Sequence, residues 1–527
     1  MRTREDFRAA PALLALVCAA ASATCSFSGC ATGRTDEITA GKLDELRRLT
    51  DARIAEIRAT PNMPVPENAA RRYLSEKTGD DAADGLTPQT AWKTVARLNR
   101  EALPPGACVL FARGGLYRGC VKTCPGVTYT AWGEGPKPRI YGSPENGAAP
   151  ARWERTDNPR VWAYRIGHDD VGTLVFDGGA AHAIKIVCRT DRATGARTNL
   201  YTGKPFGSYR DLDGDLHFWH DYYTNGTGKV YLCSERNPGE RFRSIEFNVR
   251  TCGFLVRDHA NVTIDNIEVR HVGVHGVSAG GVCRGLTVRN CEFAWIGGSI
   301  HGEGIFGRDF PTRLGNAVEI CGGCEDFTVE NCYIWQCYDA GVTHQYPLDR
   351  AEVERLHKRV RYAGNVIEKC CYSIEYFLHG ARFPENPSRM EDVLIEDNLM
   401  WDAATGFCEQ RRPDRKGGAH FKSWCNGANR ATRFLVRNNL CAFSRNEILE
   451  MSSGLPNPDG SDSMPTLTGN TFIGLKGQTF GVLNHGEPIW LQYDGSLPGK
   501  LDARHVGNVF YFAPRRGAGH VSAGNLF

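Results

Sequence analysis

The sequence predicts an all-β fold: a right-handed parallel β-helix with an inserted β-sandwich-like domain and an N-terminal capping helix. Three observations carry this expectation. Between residues 261 and 451, β-rich runs alternate apolar and polar residues at the strand period of two and close on an Asn, as in Phe327-Thr328-Val329-Glu330-Asn331 and Leu394-Ile395-Glu396-Asp397-Asn398. The residues Asn266, Asn290, Asn331, Asn365, Asn398 and Asn439 lie 24, 41, 34, 33 and 41 residues apart, which is the range of solenoid repeats. One Asn per turn also has a use in a solenoid, where stacked amides satisfy buried backbone groups. A propeller would need four strands per repeat and gives a single repeated Asn no purpose.

In chain order, residues 1–30 read as an export signal. Arg2, Arg4 and Arg8 precede an apolar run from Ala9 to Ala23 that is too short to span a membrane. The run ends in Phe27-Ser28-Gly29-Cys30, which resembles a bacterial lipobox with Cys30 as the lipidated residue. The expected location is the bacterial cell envelope, at the periplasm or cell surface, with membrane contact only through the lipid anchor; without lipidation the protein is secreted. Residues 31–68 form a helical tether or a helix packed on the cap, with Leu43, Leu46, Leu49, Ile54 and Ile57 on one side and Pro61, Pro64 and Pro66 ending it. Residues 69–145 supply the cap and first rungs, where Thr87-Pro88 is an N-cap with Pro at the first helical position. Asp80-Asp81 lies in a Gly/Asp turn and takes a turn role. Residues 146–248 hold short strands without an Asn series, and residues 249–527 form the main β-helix.

Charge and cysteines narrow the function. Lys and Arg number 63 against 60 Asp and Glu, a net +3 that points to no nucleic-acid partner. Of 20 cysteines, 17 remain after the signal, so an exported form keeps at least one unpaired thiol. Cys291 and Cys332 are expected to stack as small buried side chains. Cys321-Gly322-Gly323-Cys324 and the Cys120/Cys124 pair have no second ligand pair at zinc spacing, so no metal site is expected.

The opening from Tyr73 to Thr94 and the Phe176-Asp177-Gly178 and Val230-Tyr231-Leu232 landmarks are similar to secreted β-helix proteins of the pectin-lyase-like superfamily. Gly315-Asn316-Ala317-Val318-Glu319-Ile320, Tyr338-Asp339-Ala340-Gly341-Val342-Thr343-His344-Gln345, Ser373-Ile374-Glu375-Tyr376 and Gln410-Arg411-Arg412-Pro413-Asp414 sharpen the likeness. Together they resemble β-helical glycoside hydrolases of the fucosidase, xylanase and xylosidase type. The resemblance implies a polysaccharide or oligosaccharide substrate from a plant or host glycan, and hydrolysis without a cofactor. The alternatives are a polysaccharide lyase, for which carboxylate-held calcium would enter, and a non-catalytic glycan-binding surface protein. The Asn-Thr-Asp and Gly-His-Gly phrases of polygalacturonases are missing from the repeat region.

Counting from each Asn places Glu319, Asp339 and Glu375 outward on three consecutive rungs, each about 4.8 Å from the next. Like charges so stacked repel, and the repulsion raises at least one carboxyl pKa, as a general acid requires. On this count Asp339 and Glu375 form the catalytic pair, with Cβ atoms about 8 Å apart, and Glu319 is the tuning charge. Insertions at 299–314, 346–358, 379–391, 412–419 and 453–464 are expected to wall a cleft at one corner. Arg411, Gln410, His344, Gln345 and His420 are the expected substrate contacts, with Trp335 as a ring-stacking candidate beside Trp295, Trp401 and Trp424.

Overall fold

The computed structural model describes residues 35–221, 228–302, 310–346, 355–378, 388–410, 417–425, 429–451, 457–461, 463, 465–476, 478, 481–483 and 507–513. The chain is a right-handed parallel β-helix. Each rung contributes three strands. One example runs Ala340–Gln345, then Leu356–Ala363, then Val366–Glu368, before Tyr372–Leu378 begins the next rung. First and second strands join an 18-stranded sheet, and third strands join one of 14 strands. Where no loop intervenes, first and second strands fuse, as in Val318–Glu330, which turns at Asp326 through a φ of 56°.

Period-two alternation fills the lumen. Val269, Phe293, Ile334, Ile367, Met400, Cys441 and Phe472 stack one per rung, each fully buried. The N-terminal end is closed by Trp92, Val95 and Leu98, after a turn at Pro88–Thr90 capped by Thr87.

The Asn ladder is real but begins later than the sequence series suggests. Asn365, Asn398, Asn439, Asn470 and Asn508 form it, each donating its Nδ2 to the Oδ1 of the next at 2.8–2.9 Å. Asn266, Asn290 and Asn331 sit one position earlier in their rungs, in the left-handed conformation with φ of 59°, 54° and 52°. Gly364, Asp397, Asn438 and Gly469 take that position in later rungs. Asn suits both places, because its short amide tolerates positive φ and also bonds backbone. In the early rungs the inward position passes to Cys291 and Cys332, both fully buried. Neither Cys291 nor Cys332 is in a disulfide.

The N-terminal helix, Ala40–Arg58, does not sit on the cap. It lies along the third strands and runs against the order of the rungs. Strand Thr35–Glu37 pairs with Val509–Ala513 at the far end, and the helix then passes Trp401, Glu368, Asn331 and Glu292 in turn. Leu43, Leu46, Ile54 and Ile57 are its buried stripe, packed with Val366, Leu399 and Leu440. Nineteen residues at ~1.5 Å per residue give ~28 Å, about six rungs at ~4.8 Å.

Residues 146–248 enter between a third strand, Arg139–Tyr141, and the next first strand, Phe254–Arg257. They form a five-stranded sheet facing Val171–Phe176 and Ile245–Val249 across a core of Trp153, Tyr164, Phe218 and Phe247. Those last two strands extend the 14-stranded sheet, so one layer of this sandwich belongs to the solenoid itself.

Candidate active site: two buried carboxyls at the start of the first strands

The first strands form an outward column. Ser278, Glu319, Thr343, Glu375, Lys422 and Glu450 pair in register, one per rung. Glu319 and Glu375 therefore share a column but stand two rungs apart, about 10 Å, with Thr343 between them. Asp339 is not in the column. It lies at the corner four residues before Thr343, where its N–H donates to Gly315 O at 3.0 Å. Asp339 lies on the rung between the two glutamates, and its carbonyl accepts Tyr372 N at 3.2 Å, so its expected offset of two residues from Glu375 becomes four. The one-position shift between Asn331 and the ladder residue Asn365, plus a difference in turn length before Tyr372, accounts for the miscount.

Glu319 is held from several sides. Asn316 Nδ2 donates to its Oε2, and Gln345 Nε2 donates to the same oxygen at 3.1 Å. His275 Nε2 stands 3.3 Å from Oε1. The His275 ring is oriented by the Asn316 backbone N–H, which donates to Nδ1 at 3.0 Å. Asn316 Oδ1 accepts from Ala340 N at 2.7 Å, tying the Glu319 rung to the corner that carries Asp339. Burial pushes the Glu319 carboxyl up to about 7. The Asp339 charge adds to the rise, against the Asn316 bond, Arg257 and Gln345. Burial likewise lowers His275 to about 4 and His301, whose ring centroid is 5.5 Å from that of His275, to about 3. Both imidazoles are neutral at neutral pH. Nε2 of His301 has no hydrogen-bond partner among the described residues.

The margins of the first strands are the places where the chain leaves the solenoid. The insertions at 299–314 and 412–419 precede a first strand, whereas those at 346–358, 379–391 and 453–464 follow one. Their roots therefore lie at both ends of the first strands, while residues 303–309, 347–354, 379–387, 411–416, 452–456, 462 and 464 are outside the described residues. The inserted domain adds to the preceding margin. Asp170, fully buried and ion-paired to Lys185 at 2.5 Å, accepts the Ile300 N–H at 2.6 Å. Arg313 spans Gly298 O and Gly172 O at 2.6 and 3.0 Å.

Other expected site residues fall elsewhere. His344 points into the lumen, its Nδ1 2.8 Å from Tyr362 Oη, so it cannot meet a substrate on the outer face. His420 is also fully buried, between Ser373 Oγ and Phe443 O at 3.0 Å each. Gln410 fastens the inserted domain, accepting from Lys185 N and donating to Ala183 O. Trp335 lies on the third-strand face, its Nε1 3.4 Å from Glu292. Trp295 and Trp401 are buried packing residues. Of the named contacts, Gln345 alone joins the carboxyl site. Glu375 is buried and receives Lys422 Nζ at 2.7 Å in a buried ion pair. Arg411, Cys30, the Trp424 side chain, Glu303, Arg308 and Asp309 lie outside the described residues. Among the described residues no cluster of His, Cys, Asp and Glu has a metal-binding arrangement.

Sequence reasoning passed over His275, His301 and Asn316. The signal was present in the alignment of rungs: His275-Gly276-Val277-Ser278 lies directly beneath Asn316-Ala317-Val318-Glu319, so a titratable ring and an amide occupy one corner.

No protein-family model and no curated protein matches the chain. Three solved structures are similar in outline. One is XylC in complex with xylose, at 13% identity and a TM-score of 0.41, covering 78% of this chain and 76% of that one. A second is the GH136 lacto-N-biosidase of Eubacterium ramulus, at 12% and 0.39, covering 90% and 70%. The third is the tailspike protein of E. coli bacteriophage HK620 with a pentasaccharide, at 12% and 0.33, covering 82% and 65%. The chain shares the right-handed parallel β-helix with them.

Proposed function

We propose that the protein hydrolyses glycosidic bonds of a plant or host glycan, with Glu319 as the proton donor and Asp339 as the partner carboxyl. One observation carries the reading: Asn316 ties together the places of two buried carboxyls, donating to Glu319 and accepting from Ala340 N beside Asp339. Glycoside hydrolysis needs one carboxylic acid on the leaving oxygen and one carboxylate that activates water or attacks the sugar carbon. About half of Glu319 keeps its proton at neutral pH, because burial and the Asp339 charge both oppose ionisation. Asn316 and Gln345 hold it in one orientation. The near-neutral net charge of +3 suits a neutral or mildly acidic glycan. Export with lipidation at Cys30 completes the proposal and places the enzyme at the cell envelope.

The test is a screen of purified protein on plant and mucin oligosaccharides with product analysis. New reducing ends without unsaturated uronate, lost in both Glu319→Gln and Asp339→Asn, support hydrolysis. Full activity in either variant removes this pair from the mechanism. A second reading, lyase chemistry, has one structural observation in its favour. Lys422 stands in the same column as Glu319, with Nζ 2.7 Å from Glu375 Oε1 and 4.3 Å from the Tyr372 ring centroid, a cation placed to hold a uronate carboxylate during elimination. Unsaturated products would select it.

A further inference from the structure

A groove of about 860 Å³ runs along the second strands, around the bend from the carboxyl column. Its floor is one register line, Thr328, Arg361, Leu394, Leu435 and Thr466, across five successive rungs. At ~4.8 Å per rung the line is about 19 Å long, the reach of a short oligosaccharide. Leu394 and Leu435 are half-buried neighbours at its centre. Its rim is the bend itself, where Asp326, Arg359, Asp392 and Arg433 follow one another with φ of 56°, 51°, 59° and 52°. A turn carrying Asn457, Asp459 and Ser461 closes one end.

The charges on this surface are matched locally. Arg359 holds Asp326 at 2.6 and 2.8 Å, and Arg433 holds Asp392 at 2.5 and 3.0 Å. Arg361 spans Glu330 at 2.6 Å and Glu396 at 3.2 Å. Paired ions keep hydrogen-bonding capacity at their edges while presenting little net field, so a polyanion gains nothing here. An added peptide strand has no edge to join, because the second strands pair on both sides. The remaining fit is a ligand with an apolar face and polar edges. A pyranose ring laid on Leu394 and Leu435, with hydroxyls towards the Arg and Asp edges, meets that description. The rigid floor also spares the ordering cost of a flexible one.

We propose that this groove is a carbohydrate-binding site for a neutral oligosaccharide lying along the rungs, separate from the carboxyl site. It holds a glycan beside the catalytic face and makes no chemical step of its own.

The experiment uses the full chain carrying Glu319→Gln, so that no ligand is consumed, titrated calorimetrically with xylohexaose, cellohexaose and mannohexaose. The expected result is binding of at least one of these, weakened at least about tenfold by Leu435→Asp and by Leu394→Asp. Both leucines are half-exposed, and an unchanged thermal melt confirms that each variant folds. A Thr343→Trp change, which crowds the carboxyl column, should leave the affinity unaltered. Binding that survives both leucine changes, binding lost in Thr343→Trp, or retention only of an anionic hexaose such as hexagalacturonate overturns the proposal. Failure here leaves the hydrolytic reading standing, because the catalytic variants test that separately.

Discussion

His275 Nε2 lies 3.3 Å from Glu319 Oε1, and Nδ1 of the same ring accepts the Asn316 N–H at 3.0 Å. One backbone amide thereby fixes the tautomer, leaving the ring proton on Nε2, the nitrogen that faces the carboxyl. Burial and Asp339 raise Glu319 to about 7, so a large share of it stays protonated at neutral pH by reason of its place in the fold.

Activity should therefore fall as pH rises through about 7, where Glu319 loses its proton. A kcat/KM profile on the best oligosaccharide substrate reads this directly. Replacing His275 by Phe removes a polar ring 3.3 Å from Glu319 Oε1 and leaves the carboxyl in a more apolar setting, so the descending limb should move to higher pH. Glu319→Gln should lower kcat by about 10²–10⁴-fold. A limb unmoved by His275→Phe would separate the ring from the acid.

The same shift has a stability consequence. The folded carboxyl keeps its proton up to about 7, whereas in the unfolded chain it ionises near 4.5. The folded state binds more protons between those values, so stability is lost as pH rises through that window. At about pH 8 the loss is about 3 kcal/mol, and it vanishes below the unfolded value. Glu319→Gln should thus gain on the wild type by that amount between about pH 4 and pH 8, measured by urea unfolding. An equal difference at both pH values would contradict the raised pKa.

Much of this architecture was legible in the sequence because a solenoid repeats its instructions. Period-two runs such as Phe327–Glu330 and a recurring Asn define rungs without any long-range information. Register was harder. Asn331 and Asn365 look alike in sequence, yet one turns the chain at positive φ and the other points its amide inward. A slip of one residue moves a side chain to the other face, and two such differences, at the Asn and in the turn before Tyr372, change the offset of Asp339 from Glu375 from two residues to four. His344 was misread for a related reason. It neighbours outward Thr343 and Gln345, and polarity alone does not reveal that Tyr362 receives it inside. The position of the N-terminal helix was invisible, since its partners Glu292, Asn331 and Glu368 lie hundreds of residues downstream.

The ladder supplies a third prediction. Asn398 Oδ1 accepts from Asn365 N and Nδ2 at 3.1 and 2.9 Å, and its Nδ2 donates to Tyr362 O and Asn439 Oδ1 at 3.0 and 2.8 Å. Asn398→Ala leaves buried partners on both neighbouring rungs unsatisfied. The expected cost is about 3 kcal/mol, from one to three for each stranded group after partial relaxation. Chemical denaturation of purified variants checks it, with Asn508→Ala at the last described rung as the milder control.

The helix on the third strands gives a fourth. Ile57 is 1% exposed, and Arg58 binds Glu292 through two bonds of 2.9 Å. Ile57→Asp should detach the end of the helix and raise hydrogen exchange in Glu292–Ile296 and Tyr333–Cys337, while the ladder rungs beyond Asn398 stay protected. Uniform exchange across all rungs would mean that the helix contributes to global rather than local stability.

The last prediction separates the two chemistries. Lys422 Nζ is 2.7 Å from Glu375 Oε1, with both side chains buried. Lys422→Met removes the nearest cation from a buried carboxylate, and the cost should be about 3–5 kcal/mol at neutral pH. Adding Glu375→Gln removes the uncompensated charge and should recover most of the loss. The double variant then folds without either group, which makes it the useful reagent. If Glu319 and Asp339 do the chemistry, it retains glycoside hydrolysis with a KM change at most, since Glu319 lies two rungs from Glu375 and three from Lys422. If Lys422 is instead the cation that holds a uronate carboxylate for elimination, the double variant is inactive at full stability and the wild type releases unsaturated uronate. Thermal melts, reducing-end assays and product absorbance on the same three proteins decide between them.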